Sequence, residues 1–156
     1  MSIRFTLVLL ILLSSHISKI NAQILHPVKW TYTAKQMGKN DAIILIKASI
    51  GSGWHIYSTK QVDGGPVKTS FVWEKGTGYE ISGDVIEPRP IVRFEQAFNM
   101  QVSFFENEVI FRQKIKLKAN MTTVKGKLNF MVCNDKQCLA PEDVDFEVPI
   151  KRVSVQ

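Results

Sequence analysis

The chain has 156 residues, 45% of them hydrophobic, with 20 Lys and Arg against 14 Asp and Glu and a formal net charge of +6. The positive excess is modest and scattered, without a run of five or six like charges, so the clustered basic footprint of a nucleic-acid binder is missing. After Leu13 no apolar stretch approaches the roughly 20 residues that a membrane-spanning helix needs.

In chain order, Arg4 precedes an unbroken apolar run from Phe5 to Leu13, and a polar stretch leads to Asn21-Ala22-Gln23. Positive charge, short apolar core and a small residue, in that order, predict a secretory signal peptide over residues 1–22, cleaved after Ala22. Ile20 is larger than the small residue usual near such a cut, and no cysteine follows the apolar run to carry a lipid. Loss of Arg4 and Lys19 lowers the basic count from 20 to 18 against 14 acids, for a net +4 on residues 23–156. That length is enough for one domain with a sizeable core, expected to be exported and not stably inserted in a membrane.

The remaining chain alternates with a period of two, the mark of strands with one face buried. Val28, Trp30, Tyr32 and Ala34 alternate with Lys29, Thr31, Thr33 and Lys35. A turn over Gly38-Lys39-Asn40-Asp41 separates them from a second strand with Ala42, Ile44, Ile46, Ala48 and Ile50 on one face. Shorter strands are predicted at Ser70–Glu74, Tyr79–Ser82, Gln101–Phe105 and Lys127–Cys133. Longer ones place Val109, Phe111, Ile115 and Leu117 against Arg112, Lys114, Lys116 and Lys118, and Val144, Phe146, Val148 and Ile150 against Asp145, Glu147 and Lys151. Turn residues punctuate the chain at Asp63-Gly64-Gly65-Pro66, Lys75-Gly76-Thr77-Gly78 and Glu87-Pro88-Arg89-Pro90. Seven or eight short strands at this spacing predict an all-β, two-sheet sandwich.

The densest chemistry lies in Cys133-Asn134-Asp135-Lys136-Gln137-Cys138-Leu139-Ala140-Pro141. Fully extended, the five steps between the cysteines would span roughly 16 to 18 Å, whereas a disulfide needs the Cα atoms within about 7 Å. Asn134-Asp135 is the local turn that folds the chain back. In an exported protein with two cysteines in total, the two are read as a pair. One reading is a structural staple, although so small a loop stabilises by only about 2 kcal/mol in the chain-entropy model. The other is a redox pair. The spacing is not C-x-x-C and no βαβ pattern surrounds it, which argues against a thioredoxin fold. A zinc site would have to recruit the remote His26 and His55, which have no ligand spacing, so neither metal nor cofactor is expected. Asn120-Met121-Thr122 matches a glycosylation sequon, a motif short enough to arise by chance.

Taken as a set and in this order, Gly53-Trp54-His55-Ile56-Tyr57, the aromatic region Phe94–Phe105 and the cysteine segment resemble the amino-terminal periplasmic domain of DsbD, the transmembrane thiol:disulfide interchange reductant. The resemblance covers nearly all of residues 23–156 and implies an immunoglobulin-like β-sandwich. It also implies a protein-disulfide reductase type of role, relaying electrons from thioredoxin-like proteins or a transmembrane thiol reductant to exported thiol proteins. Cys138 would then be the sulfur joined to partners, Cys133 the resolving thiol, Phe98 the tip of a cap loop over the pair, and Tyr57 a neighbour of the pair. His55, beside it, could tune a thiol pKa or simply be a hydrogen-bonded histidine. Well-known members of the family carry one more residue between the cysteines, and acids where this chain has Gln96-Ala97; Glu95 is the nearest acid here. Without a membrane portion or thioredoxin-like domain in this sequence, electrons would come from separate proteins. The alternative is an immunoglobulin-like binding or assembly module with a purely structural disulfide.

Overall fold

A computed structural model describes residues 25–153, and the expected leader lies outside them. Eleven strands follow one another: β1 (Val28–Gln36), β2 (Asp41–Ile50), β3 (His55–Tyr57), β4 (Ser70–Trp73), β5 (Tyr79–Ile86), β6 (Ile91–Glu95), β7 (Met100–Glu106), β8 (Glu108–Leu117), β9 (Met121–Phe130), β10 (Val132–Cys133) and β11 (Glu142–Lys151). They pair antiparallel in three sheets, ordered β1-β2-β8-β5, β11-β9-β4 and β10-β3-β7-β6. The architecture is the all-β immunoglobulin-like sandwich expected from the strand pattern and the resemblance.

Packing follows from the alternation. Ile44, Ile46, Ala48, Phe111 and Ile115 of the first sheet meet Val124, Leu128, Phe146 and Val148 of the second in one continuous core. Aromatic rings bridge the layers, with Phe71 5.3 Å from Phe111 and Trp30 5.2 Å from Phe130 between centroids. Burying side chains of this size contributes roughly 1.5 to 3 kcal/mol each, the main term offsetting the entropy of ordering the chain.

The third sheet is covalently tied to both others. β7 passes into β8 through Asn107, which holds a φ of 60°, and β9 runs into β10 across Met131. β3 has too few residues to show a period, and β10 falls within the strand expected at Lys127–Cys133, which the structure divides at Met131 into the end of β9 and β10. β6, the other strand not picked out from the alternation, is an edge strand whose Ile91, Val92 and Phe94 are exposed, although Val92 and Phe94 alternate with Arg93 and Glu95. These three account for the excess over the seven or eight strands predicted.

One polar residue breaks the apolar row of β8. Gln113 is fully buried between Phe111 and Ile115. Its Nε2 donates to the carbonyls of Ser82, Gly83 and Lys114 at 3.2, 3.0 and 2.9 Å. The register of β5 on β8 shifts between Ser82 and Ile86, and Gly83 adopts a φ of 70° there. A bulge frees ladder carbonyls, Gly83 supplies the left-handed backbone, and Gln113 satisfies what the ladder leaves open. Replacing Gln113 with Leu keeps the volume and removes those donors; the expected cost is about 1 to 3 kcal/mol of stability, read from urea unfolding.

Candidate functional site

The site is built on the third sheet, whose two faces have different work. Cross-strand register sets Ile56 opposite both Phe105 and Val132, and all three join the main core. One residue along, His55 stands opposite Cys133 on β10 and Glu106 on β7, while Tyr57 stands opposite Phe104. Because side chains alternate across a strand, this second set points away from the core. Tyr57, Val102, Phe104 and Cys133 form a small separate cluster there, with Phe98, Met100 and Met131 packed around it.

Beyond Cys133 the chain reverses within four residues. Asn134 N–H donates to the Gln137 carbonyl at 2.9 Å, and Leu139 N–H to the Val132 carbonyl at 2.9 Å. Asn134 Oδ1 accepts from the N–H groups of Lys136 and Gln137 at 2.8 and 2.9 Å, an Asx turn that holds the reversal. Those two backbone bonds flank Cys133 and Cys138, making them a directly opposed, non-hydrogen-bonded pair. Such pairs are the closest approach two antiparallel strands offer. The Cα atoms lie 4.0 Å apart and the sulfurs form a disulfide, as the turn at Asn134-Asp135 led one to expect. The two cysteines are not equivalent: Cys133 is 2% exposed, whereas Cys138 is exposed on the outer strand of the hairpin.

Phe98 arrives from the other side. The hairpin between β6 and β7 turns over Gln96–Asn99, with Phe98 N–H on the Glu95 carbonyl at 3.2 Å and Asn99 at a φ of 52°. The half-buried Phe98 ring meets Tyr57 edge-on, with centroids 6.2 Å apart. A cleft of about 290 Å³ lies between the two hairpins, lined by His55, Tyr57, Glu95, Phe98 and both cysteines together with the turn residues. The four residues singled out in the sequence, Cys133, Cys138, Phe98 and Tyr57, therefore converge on one cleft. Glu95, the acid nearest the cap, also reaches it.

His55 was left open by the sequence and is an integral part of this wall. It is 3% exposed, its ring lies 5.0 Å from that of Phe104, and its Nε2 is 3.2 Å from the Tyr57 hydroxyl. Its two-residue spacing from Tyr57 is the signal that could have placed it on the cleft face. Burial, and then the guanidinium of Arg93, hold its pKa below the usual 6.5, against the opposing pull of Glu95, Glu106 and Asp135. Arg93 itself sits 4.7 Å over the Phe104 ring and 3.6 Å from Glu95. Burial, reinforced by Glu95, pushes the Tyr57 hydroxyl up to about 12, so it stays protonated. His26 lies elsewhere, 4.0 Å from Glu142. No group of three or more potential metal ligands occurs among the described residues.

A sandwich that carries a disulfide of unequal cysteines in an aromatic-walled cleft is the form of a thiol–disulfide interchange domain. The chain belongs to the family of the N-terminal domain of the thiol:disulfide interchange protein DsbD, which matches residues 21–149. No curated protein matches it. Among solved structures it is similar to the N-terminal periplasmic domain of ScsB from Proteus mirabilis, with 20% identity and a TM-score of 0.52 over 82% of this chain and 49% of that one. The chain thus spans about half the length of that ScsB chain. It is also similar to the reduced form of the DsbD N-terminal domain from Neisseria meningitidis, at 13% identity and a TM-score of 0.50, covering 78% of this chain and 86% of that one. A further match is a complex between the DsbD and PilB N-terminal domains from the same organism, at 12% identity and a TM-score of 0.51, covering 80% of this chain and 87% of that one. At these identities the likeness speaks to the fold alone. Among the described residues, no helix is long and apolar enough to cross a membrane.

The depressed pKa of His55 couples the site to stability. Above pH 6.5 the ring is neutral whether the chain is folded or unfolded. As pH falls through that value the unfolded chain takes up a proton that the folded one refuses, so stability declines until the folded pKa is reached. The urea midpoint should therefore drop between pH 7 and pH 5, and His55→Gln should lessen the drop.

Proposed function

We propose that this chain is an exported thiol–disulfide exchange module, acting in the periplasm as residues 23–156 after loss of the leader. It would relay reducing equivalents through Cys133 and Cys138 from a thioredoxin-like or transmembrane donor to exported thiol proteins. The observation that carries this reading is the unequal burial of the pair, with Cys138 exposed and Cys133 enclosed. Exchange needs one sulfur that a partner's disulfide can reach in line and a second held behind it. In the reduced protein, the Cys138 thiolate attacks the partner disulfide, forms a mixed disulfide and expels one partner thiolate. Cys133 then attacks Cys138 Sγ, restores the Cys133–Cys138 bond and releases the second partner sulfur. Two electrons pass to the partner and the pair ends oxidised.

Phe98 fits the part of a cap that shields the sulfurs until a docked protein displaces it. Its ring rests on the apolar cluster around Cys133 and on Tyr57, contacts weak enough individually for the four-residue loop to be moved. A protein partner is in keeping with the complex formed between the DsbD and PilB N-terminal domains of Neisseria meningitidis. The competing reading, a binding module with a structural bridge, gains little from the local geometry. The hairpin is already closed by two backbone hydrogen bonds and the Asn134 side chain.

Cys133→Ala should accumulate mixed disulfides through Cys138 with exported thioredoxin-like proteins, resolved by non-reducing electrophoresis and identified by mass spectrometry. Absence of any such adduct, together with a reduction potential below about −300 mV for the native bridge, would sink the exchange function. Phe98→Ala should raise the rate at which glutathione reduces the bridge several-fold; an unchanged rate would deny Phe98 a shielding role.

A further inference from the structure

We propose that His55 is the general base that takes the proton from Cys133 when that thiol resolves a mixed disulfide. This role presupposes the exchange function proposed above and gives it a residue that the pair itself does not supply. The need arises from burial. A free cysteine ionises near pH 8.5, and an apolar enclosure raises that value further, so an enclosed thiol at neutral pH is almost wholly protonated. Cys133 is enclosed to 2% exposure and flanked by Tyr57, Val102 and Phe104. Only the thiolate is nucleophilic, and the resolving step therefore waits on removal of that proton.

His55 is placed to remove it. It is the residue directly opposite Cys133 in the β3–β10 register, where facing Cβ atoms are roughly 4.5 to 5.5 Å apart, and both line the same cleft. Its burial and the nearby Arg93 keep the imidazole neutral at pH 7, the form that can accept a proton. The tautomer with its proton on Nε2, donated to the Tyr57 hydroxyl oxygen 3.2 Å away, leaves the Nδ1 lone pair free. The charged groups facing the ring come from every neighbouring element: Arg93 and Glu95 from β6, Glu106 from β7 and Asp135 from the cysteine turn. The three acids favour the imidazolium once it forms, and Arg93 disfavours it, so the proton is held only transiently.

The step balances as follows. Cys133 gives its proton to Nδ1, and its thiolate attacks Cys138 Sγ. The Cys133–Cys138 bond forms, the bond from Cys138 to the partner breaks, and the partner sulfur leaves with the electron pair. The imidazolium then returns its proton to that thiolate or to water.

Reduced protein treated with dithiobis(nitrobenzoate) separates the two steps without any natural partner. Attack by Cys138 releases one chromogenic thiolate, and resolution by Cys133 releases a second from the mixed disulfide. Stopped-flow absorbance should show, at pH 7, a second phase slowed roughly tenfold or more in both His55→Gln and His55→Phe, with the first phase little changed. The pH profile of that second phase should move upward, toward ionisation of the unaided thiol. His55→Gln retains a donor toward Tyr57, so agreement of the two variants separates lost basicity from lost packing. A second phase that keeps its rate and profile in both variants, or two phases that slow equally, would overturn the role of His55. A wild-type protein that releases no second equivalent would instead overturn the exchange function, and this role with it.

Discussion

The alternation of side chains across one small sheet is the constraint on which the rest of this molecule depends. Ile56, Phe105 and Val132 anchor the third sheet in the main core, and that anchoring dictates that His55, Tyr57, Phe104 and Cys133 face outward together. A slip of one residue would exchange the two sets and bury the site, at the cost of exposing core side chains. The hydrophobic effect thus fixes the position of the sulfur through residues that never approach it. The same anchoring sets His55 and Tyr57 in the wall of the cleft.

On that wall the two hairpins meet as unlike halves. The cysteine hairpin is short and held by four hydrogen bonds, two of them to the Asn134 side chain. The hairpin between β6 and β7 ends an exposed edge strand and meets the cleft through one half-buried aromatic ring, Phe98. The cysteines are thus fixed by backbone hydrogen bonds on both sides, whereas Phe98 meets the cleft through a single ring. The electrostatics point the same way. Titratable groups from three separate segments converge on His55, an arrangement that a bridge serving only as a staple has no use for.

Much of this was legible before the chain was folded. Period-two patterning revealed β1, β2, β8, β11 and the sandwich, though β9 was expected only from Lys127 onward, and cysteine spacing with an Asn-Asp turn foretold the bridge. The resemblance to the DsbD amino-terminal domain singled out Phe98 and Tyr57, which do share a cleft with the cysteines. Less legible were β3, whose three residues carry no period, β6, a five-residue edge strand with exposed apolar side chains, and the break at Met131 that separates β10 from β9. Gln113 interrupted an otherwise apolar row for a reason that lay in another strand, the bulge of β5 some thirty positions earlier. Glu95 and His55 likewise became site residues only through pairing partners distant in sequence.

What the sequence determined by itself is what local chemistry determines: alternating faces, turn positions, and two cysteines near enough to join. What tertiary structure alone decided is their inequality. The two residues are chemically identical and five positions apart, and in the sequence only the resemblance to the DsbD amino-terminal domain told them apart. Cys133 is buried because β10 pairs with β3, and Cys138 is exposed because, among the described residues, the segment that carries it bridges only to β10. Burial is a property of neighbours brought in from elsewhere in the chain. It also sets how readily a thiol ionises, so the environments of the two sulfurs differ only in the folded protein.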